Sequence, residues 1–274
     1  RFVPCARGSF RIDPTKVADA VDEHTIGVVC ILGNHYSGHF DDVLAVSKVV
    51  DGLNQRNGWQ LGIHVDAASG GFCAPFQSPQ PLWDFRIPSV LSVSASGHKF
   101  GLSCCGTGWV VWRQRRNLSE HVAISVSYLG GNADSYTLNF SRPASGVSVQ
   151  MYKFLRLGRE GYTRLVDNMM ATASFIRAGL ANMRDDDGRP LFEILDAGDD
   201  EPCLPVVTAR LNTNLGYAFN DIDLQHALAE RHWYVGGYKM SFRHPETEIE
   251  EPLFVDEPAE STMFRVVVKV NLTR

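Results

Sequence analysis

Short β-branched runs alternate with longer stretches of helical periodicity along the chain, the pattern of an α/β protein built on a largely parallel sheet. Asp13-Pro14 ahead of Lys16-Val17-Ala18-Asp19-Ala20-Val21 predicts a capped helix, and Thr25 to Leu32 predicts a strand ending at Gly33. Val43, Leu44, Val46, Val49, Val50 and Leu53 recur at helical spacing and predict a helix from Asp41 to Leu53. Leu61 to Val65, Val90 to Ser94 and Gly108 to Trp112 read as strands. A long helix is expected from Tyr152 to Met183, with Tyr152, Leu155, Tyr162, Leu165, Met169 and Phe175 on its buried side and a kink or break at Gly158 or Gly161.

Beyond Asp185-Asp186-Asp187-Gly188 the pattern changes to a strand (Cys203 to Leu211), a helix (Asp221 to Arg231), a strand (Trp233 to Tyr238) and a last strand (Met263 to Leu272). This predicts part of a large domain over residues 1–160 and part of a smaller α+β domain over residues 161–274. Ser241 to Thr262 is acidic, contains proline and lacks periodicity, and is expected to be a surface insertion or mobile loop. The start, Arg1-Phe2-Val3-Pro4, lacks Met, and the chain stops just past a thoroughly hydrophobic strand, so an internal piece of a longer protein is expected.

Composition narrows the function classes. With 274 residues, 44% of them hydrophobic, the chain can bury a real core, which argues against disorder. A net charge of -5, with both signs scattered, gives no basic stripe for a phosphate backbone, so nucleic acid is not an expected partner. The six cysteines show no C-x-x-C spacing and read as reduced thiols rather than a disulfide framework or a zinc site. No apolar run is long enough to span a membrane and no signal pattern opens the chain; a soluble, cytoplasmic protein is expected.

Two segments carry chemistry: Ile63-His64-Val65-Asp66-Ala67-Ala68-Ser69-Gly70-Gly71 and Ser94-Ala95-Ser96-Gly97-His98-Lys99-Phe100-Gly101. Each sets a polar residue just beyond a strand, where open α/β sheets gather ligand-binding groups. A lysine that forms a Schiff base needs an amine that can lose its proton, and Lys99 sits in a turn of small residues that permits close approach. A pyridine ring that accepts electrons needs a carboxylate to keep its nitrogen protonated, a role open to Asp66 at a strand end. Taken singly, the aspartate reads more simply as a turn residue and the lysine as part of a surface loop. Their pairing on two strand ends gives the signal its weight.

His64-Val65-Asp66-Ala67-Ala68-Ser69-Gly70-Gly71-Phe72, Trp83-Asp84-Phe85-Arg86 and Ser94 to Gly101 closely resemble the glutamate decarboxylase family of pyridoxal-phosphate (PLP) enzymes. So do Tyr128-Leu129-Gly130-Gly131, Asn139-Phe140-Ser141-Arg142-Pro143-Ala144 and Phe154-Leu155-Arg156-Leu157-Gly158-Arg159-Glu160-Gly161-Tyr162. The resemblance is high over residues 20–165 and weak beyond.

It implies an aminotransferase-like (fold type I) large domain with pyridoxal 5'-phosphate as cofactor and α-decarboxylation of L-glutamate to 4-aminobutyrate and carbon dioxide. Lys99 is implied to be the Schiff-base lysine, Asp66 the partner of the pyridine nitrogen, and Ala68 the residue beneath the ring. Ser96 and His98 are implied to help hold the phosphate. Phe140 and Ser141 are implied to reach across a homodimer into the neighbour's phosphate site, and Arg265 to hold the substrate's α-carboxylate. His35 stands where the family usually has a threonine that hydrogen-bonds the cofactor, a bond histidine can also donate. The family's upstream phosphate-binding turn, ring-stacking histidine and distal-carboxylate residues have no counterpart in this sequence. Decarboxylation of another acidic amino acid, and a truncated homologue that no longer catalyses, therefore stay open as alternatives.

Overall fold

The computed structural model describes residues 1–6, 9–126, 133–136, 141–244, 247–253 and 260–272. Its first half contains helix α1 (Pro14–Ala20), strand β1 (Gly27–Ile31), helix α2 (Val43–Asn57) and strands β2 (Gly62–Asp66), β3 (Val90–Ser96) and β4 (Gly108–Trp112). The four strands form one sheet in the order β1-β2-β3-β4. β1 and β3 both run parallel to β2, and β4 closes the sheet antiparallel to β3, so the sheet is mixed but mainly parallel. Capping residues mark the start of α1 and both ends of α2. Asp13 accepts from the Thr15 amide, Asp42 accepts from the Ala45 amide, and Gly58 ends α2 in the left-handed conformation.

Register decides which face carries chemistry. Val29, His64 and Ser92 share one row, and Ile31, Asp66 and Ser94 the next. The rows between them hold Cys30, Val65 and Val93, which join Val43, Val46 and Val50 of α2 in a buried core. Each such fully buried side chain contributes on the order of 1.5–3 kcal/mol. One sheet face is thus packed under α2, while the other presents a strip of His64, Asp66, Ser92 and Ser94.

A short antiparallel hairpin, β5 (Ile124–Val126) and β6 (Ala133–Ser135), precedes the long helix α3 (Ser145–Asn182). The expected break in α3 falls at Gly158, whose φ of 57° and ψ of -168° are not helical. The buried stripe differs from the one predicted. Tyr162, Val166, Met169 and Ala173 face inward, whereas Tyr152, Leu155 and Phe175 are exposed and Leu165 is half-buried. The break resets the helical phase, so residues before Gly158 do not continue the stripe that follows it.

The remaining strands are β7 (Phe192–Ile194), β8 (Val206–Leu211), β9 (Gly236–Lys239), β10 (Ser241–Arg243), β11 (Glu250–Pro252) and β12 (Thr262–Val267), with α4 (Asp221–Ala229) between β8 and β9. A second sheet, β7-β8-β12-β9, is antiparallel throughout. Val166, Met169 and Ala173 of α3 pack on it through Val207 and Val268. The predicted final strand stops at Val267, where the Val268 amide turns to the Pro205 carbonyl. The stretch expected to be an unstructured insertion contains the β10–β11 hairpin among its described residues. Strands of three residues are too short to register as periodicity.

Candidate active site

Asp66 is the last residue of β2 and Lys99 follows the end of β3, so the parallel pairing of these strands brings both to the same edge of the sheet. Asp66 Oδ1 accepts the Ala68 amide at 3.0 Å and the Ser94 hydroxyl at 3.4 Å. Its other carboxylate oxygen has no hydrogen-bond partner among the described residues. Lys99 Nζ donates to Ser69 Oγ at 3.2 Å, which ties the lysine turn to the loop that follows Asp66. No carboxylate pairs with this ammonium among the described residues.

The backbone fixes the two loops to each other. The Ala67 amide donates to the Ser94 carbonyl and the Ser96 amide to the Ala68 carbonyl. Ala68, Ser94, Ser96, Gly108 and Val110 help to line a cleft of about 340 Å³. His98 Nδ1 lies 3.0 Å from the Thr107 carbonyl. A carbonyl only accepts, so this nitrogen carries the proton.

His35 and Arg265 approach from elsewhere in the chain. The covered part of the His35 ring pushes its pKa below the usual 6.5, and the positive charges of Arg265 and Lys99 act in the same direction. The His35 ring lies 4.0 Å from that of Tyr36, and Tyr36 meets Tyr238 edge-on at 5.7 Å. Arg265 Nη2 donates to the Tyr238 hydroxyl at 2.8 Å, while its Nε is buried without a hydrogen-bond partner among the described residues. A half-buried guanidinium with a spare donor suits an acceptor on a ligand. A larger cavity of about 740 Å³ opens at the outer edge of β1, among residues such as Phe2, Val17 and Val28, and holds none of the residues predicted for the site.

The structure therefore gathers Asp66, Ala68, Ser96, His98 and Lys99 at one sheet edge, and the positive charges of Lys99 and Arg265 both act on His35. Ser141 is exposed ahead of α3 and does not line the cleft. Phe140 lies outside the described residues, as do Tyr128 to Gly131. Sequence reasoning gave no role to Ser69, Ser94 or Tyr238. Ser94 was accessible in principle, since the strand period puts it on the same face as Ser96.

Residues 1–211 match the pyridoxal-dependent decarboxylase conserved domain. The chain belongs to this family. It is 39% identical over 240 residues to a glutamate decarboxylase of Aliivibrio fischeri, covering 88% of this chain and 50% of that protein. It is 40% identical over 238 residues to a glutamate decarboxylase of Petunia hybrida, covering 87% of this chain and 45% of the relative. A solved glutamate decarboxylase of Lactobacillus brevis superposes with a TM-score of 0.81 at 32% identity, covering 96% of this chain and 55% of that one. The chain thus spans about half the length of the relatives it matches, and its fold is the type I fold of PLP enzymes.

The residues present fit the family's cofactor. Among the described residues Lys99 has no competing carboxylate and Asp66 keeps one oxygen uncommitted, while Ala68 leaves room beside the strand and serine hydroxyls line the cleft.

Proposed function

We propose that the whole protein carrying this chain is a PLP-dependent decarboxylase that converts L-glutamate to 4-aminobutyrate and carbon dioxide, and that this segment supplies the core of its active site. The observation that carries the reading is the placement of Asp66 and Lys99 on adjacent strand ends. Identity of 39–40% to glutamate decarboxylases over most of the chain supports the choice of substrate.

In this reading Lys99 would hold the cofactor covalently, Asp66 would pair with its pyridine nitrogen and Ala68 would pack against its ring. Ser96 and His98 hold the phosphate, and His35 donates the hydrogen bond that a threonine makes in relatives. When bound, PLP supplies the electron sink for the bond to the departing carboxylate. The chain's own part is orientation and charge placement. Ser94 and the Ala68 amide fix the Asp66 carboxylate, Ser69 Oγ accepts a hydrogen bond from Lys99 Nζ, and Arg265 holds the substrate α-carboxylate.

The same reading makes the protein a cytoplasmic homodimer or higher homo-oligomer, with Phe140 and Ser141 of one copy completing the phosphate site of the other. Val147, Met151 and Leu155 support it. They are 59%, 54% and 75% exposed and fall at i, i+4 and i+8 on the helix that follows Ser141. We also place the domain boundary near residue 160, supported by the helix break at Gly158 and by the separation of the two sheets.

The decisive experiment is an absorbance spectrum of the whole protein with PLP, for wild type and Lys99→Ala, followed by carbon dioxide release from glutamate. A Schiff-base band that vanishes with Lys99, together with turnover of glutamate, is the expected result. A band with turnover of a different amino acid only would overturn the substrate and leave the reaction class standing. A folded wild-type protein without a band would favour a non-catalytic homologue.

A further inference from the structure

The turn that carries Lys99 is held from behind by two side chains to which neither the sequence motifs nor the cofactor reading gives a role at the site. Gln150 is fully buried in α3, and its Nε2 donates to the Gly101 carbonyl at 2.8 Å and to the Tyr162 hydroxyl at 3.4 Å. The Tyr162 hydroxyl in turn donates to the same Gly101 carbonyl at 2.9 Å. Burial raises the Tyr162 pKa above its usual value, so the phenol keeps the proton it donates. Gln150 and Tyr162 stand on opposite sides of the break at Gly158. Two helical segments that do not share one axis thus converge on a single carbonyl, two residues from Lys99.

That carbonyl sits at a demanding point of the turn. The next residue, Leu102, has a φ of 64°, a left-handed conformation that costs a non-glycine residue on the order of 1 kcal/mol. The Leu102 amide closes back on the Lys99 carbonyl at 3.2 Å, and the Ser103 amide on the Gly97 carbonyl at 2.9 Å. Ser103 Oγ donates to the Gly146 carbonyl at 2.6 Å, a further link to α3. A Cβ on Gly101 would come within 2.6 Å of the Gly97 carbonyl oxygen and 2.9 Å of the Phe72 ring, so the turn has no slack on its inner side.

Gln150 is an odd choice if packing were its only purpose. Its Oε1 is buried with no hydrogen-bond partner among the described residues and lies against Gly97, where a Cβ would collide with it. A buried acceptor without a donor is a net cost. A methionine of similar shape would fill the space without that cost, and Tyr162 would still satisfy the Gly101 carbonyl.

Building on the cofactor reading, we propose that Gln150 and Tyr162 are positioning residues that clamp the Gly101 carbonyl and thereby set the depth and orientation of Lys99 toward PLP. Neither touches the cofactor. The clamp acts through the turn, and the aromatic contacts of Tyr162 with Phe76 at 5.0 Å and Phe72 at 6.1 Å hold the phenol in place.

The test uses the whole protein with PLP, comparing wild type with Gln150→Met and Tyr162→Phe, both close in shape to the residues they replace. The readouts are PLP affinity, the pH titration of the Schiff-base band and the thermal midpoint of the PLP-free protein. The expected result is a loss of PLP affinity of roughly tenfold and a displaced titration in both variants, in keeping with the sensitivity of reacting groups to small misplacements. The midpoint of Gln150→Met should be unchanged or higher. Unaltered affinity and titration in both variants, in a protein whose wild type shows the band, overturn the clamp alone. A wild type with no band overturns the cofactor reading and the clamp with it.

Discussion

Arg265 and Tyr238 are joined both by a 2.8 Å hydrogen bond from Nη2 to the phenolic oxygen and by stacking, with the guanidinium carbon 5.1 Å from the ring centre. They stand on paired strands, where Tyr238 faces Met263, two positions before Arg265 on the same face. Tyr238→Phe keeps the ring and removes only the acceptor. If Arg265 holds the substrate carboxylate, the KM of the whole protein for glutamate should rise roughly tenfold, the scale of one hydrogen bond to a charged group, with kcat little changed. A fall in kcat at unchanged KM would place Arg265 elsewhere in the reaction.

The exposed row of Val147, Met151 and Leu155 makes a prediction about assembly. Met151→Glu puts a charge in the middle of this row, where solvent tolerates it in a monomer and a packed interface does not. The expected outcome is a shift of the whole protein from dimer to monomer in sedimentation, at preserved helical content. An unchanged sedimentation coefficient would rule out this face as the interface.

Arg177 joins two carboxylates outside the site. It meets Asp196, whose side chain is 1% exposed, at 2.6 Å, and the more exposed Asp199 at the same distance. Asp196 also accepts the amides of Gly198 and Thr208, so it fixes the loop after β7 to β8. Arg177→Met leaves that buried carboxylate without its counter-charge and should cost about 3–5 kcal/mol, read from denaturant midpoints. A cost below about 1 kcal/mol would mean that the backbone amides alone suffice to hold Asp196.

Much of the architecture is legible in the sequence because its elements are either strongly periodic or bounded by caps. Asp13-Pro14 announces α1 and the Val- and Trp-rich run from Gly108 to Trp112 is β4 as read, whereas α2 runs past the end expected at Leu53 to its cap at Gly58. What escaped is short or set by tertiary contact. β7 and the β10–β11 hairpin have three-residue strands, and the inward face of α3 depends on a phase change at Gly158 that no window across it reveals. At the site, Asp66 and Lys99 stand in recognisable runs. Tyr238 and Gln150 do not, because each acts through a partner far away in sequence: Arg265 for one, Gly101 for the other.

Three histidines are expected to contribute to a loss of stability in mild acid. Burial lowers the pKa of His35, His39 and His64 below 6.5, with Arg265 and Lys99 adding to the effect at His35 and Arg11 at His39, and with Asp66 opposing it at His64. The unfolded chain takes up these protons near 6.5 and the native chain only at lower pH. Stability is therefore full above 6.5 and falls as pH drops from there toward the lowered values. Asp41 and Asp221, raised by burial, act in the opposite sense at more acidic pH. The urea midpoint should decrease between about pH 7.5 and about pH 5.5, and His39→Gln should flatten the decrease. A decrease of equal slope in the variant would show that His39 carries none of it.

Two glycines of α3 separate conformation from packing. A Cβ at Gly158 and a Cβ at Gly179 would each meet nothing within 4 Å, so sterics with neighbours predict the same tolerance at both. Their backbones differ. Gly179 lies within the helical run, where alanine lowers the entropy of the unfolded chain and should stabilise by about 0.5–1 kcal/mol. Gly158, at φ 57° and ψ -168°, occupies a region open essentially to glycine alone, so Gly158→Ala must either bear a strain of about 1–3 kcal/mol or straighten the helix. Straightening would swing the 145–157 segment, with Gln150, away from Gly101 while leaving Tyr162 seated on its own side of the break. Thermal midpoints of the two variants should therefore move in opposite directions, and only Gly158→Ala should weaken PLP binding. Equal midpoints would mean that the break is set by packing around Tyr162 and not by the glycine itself.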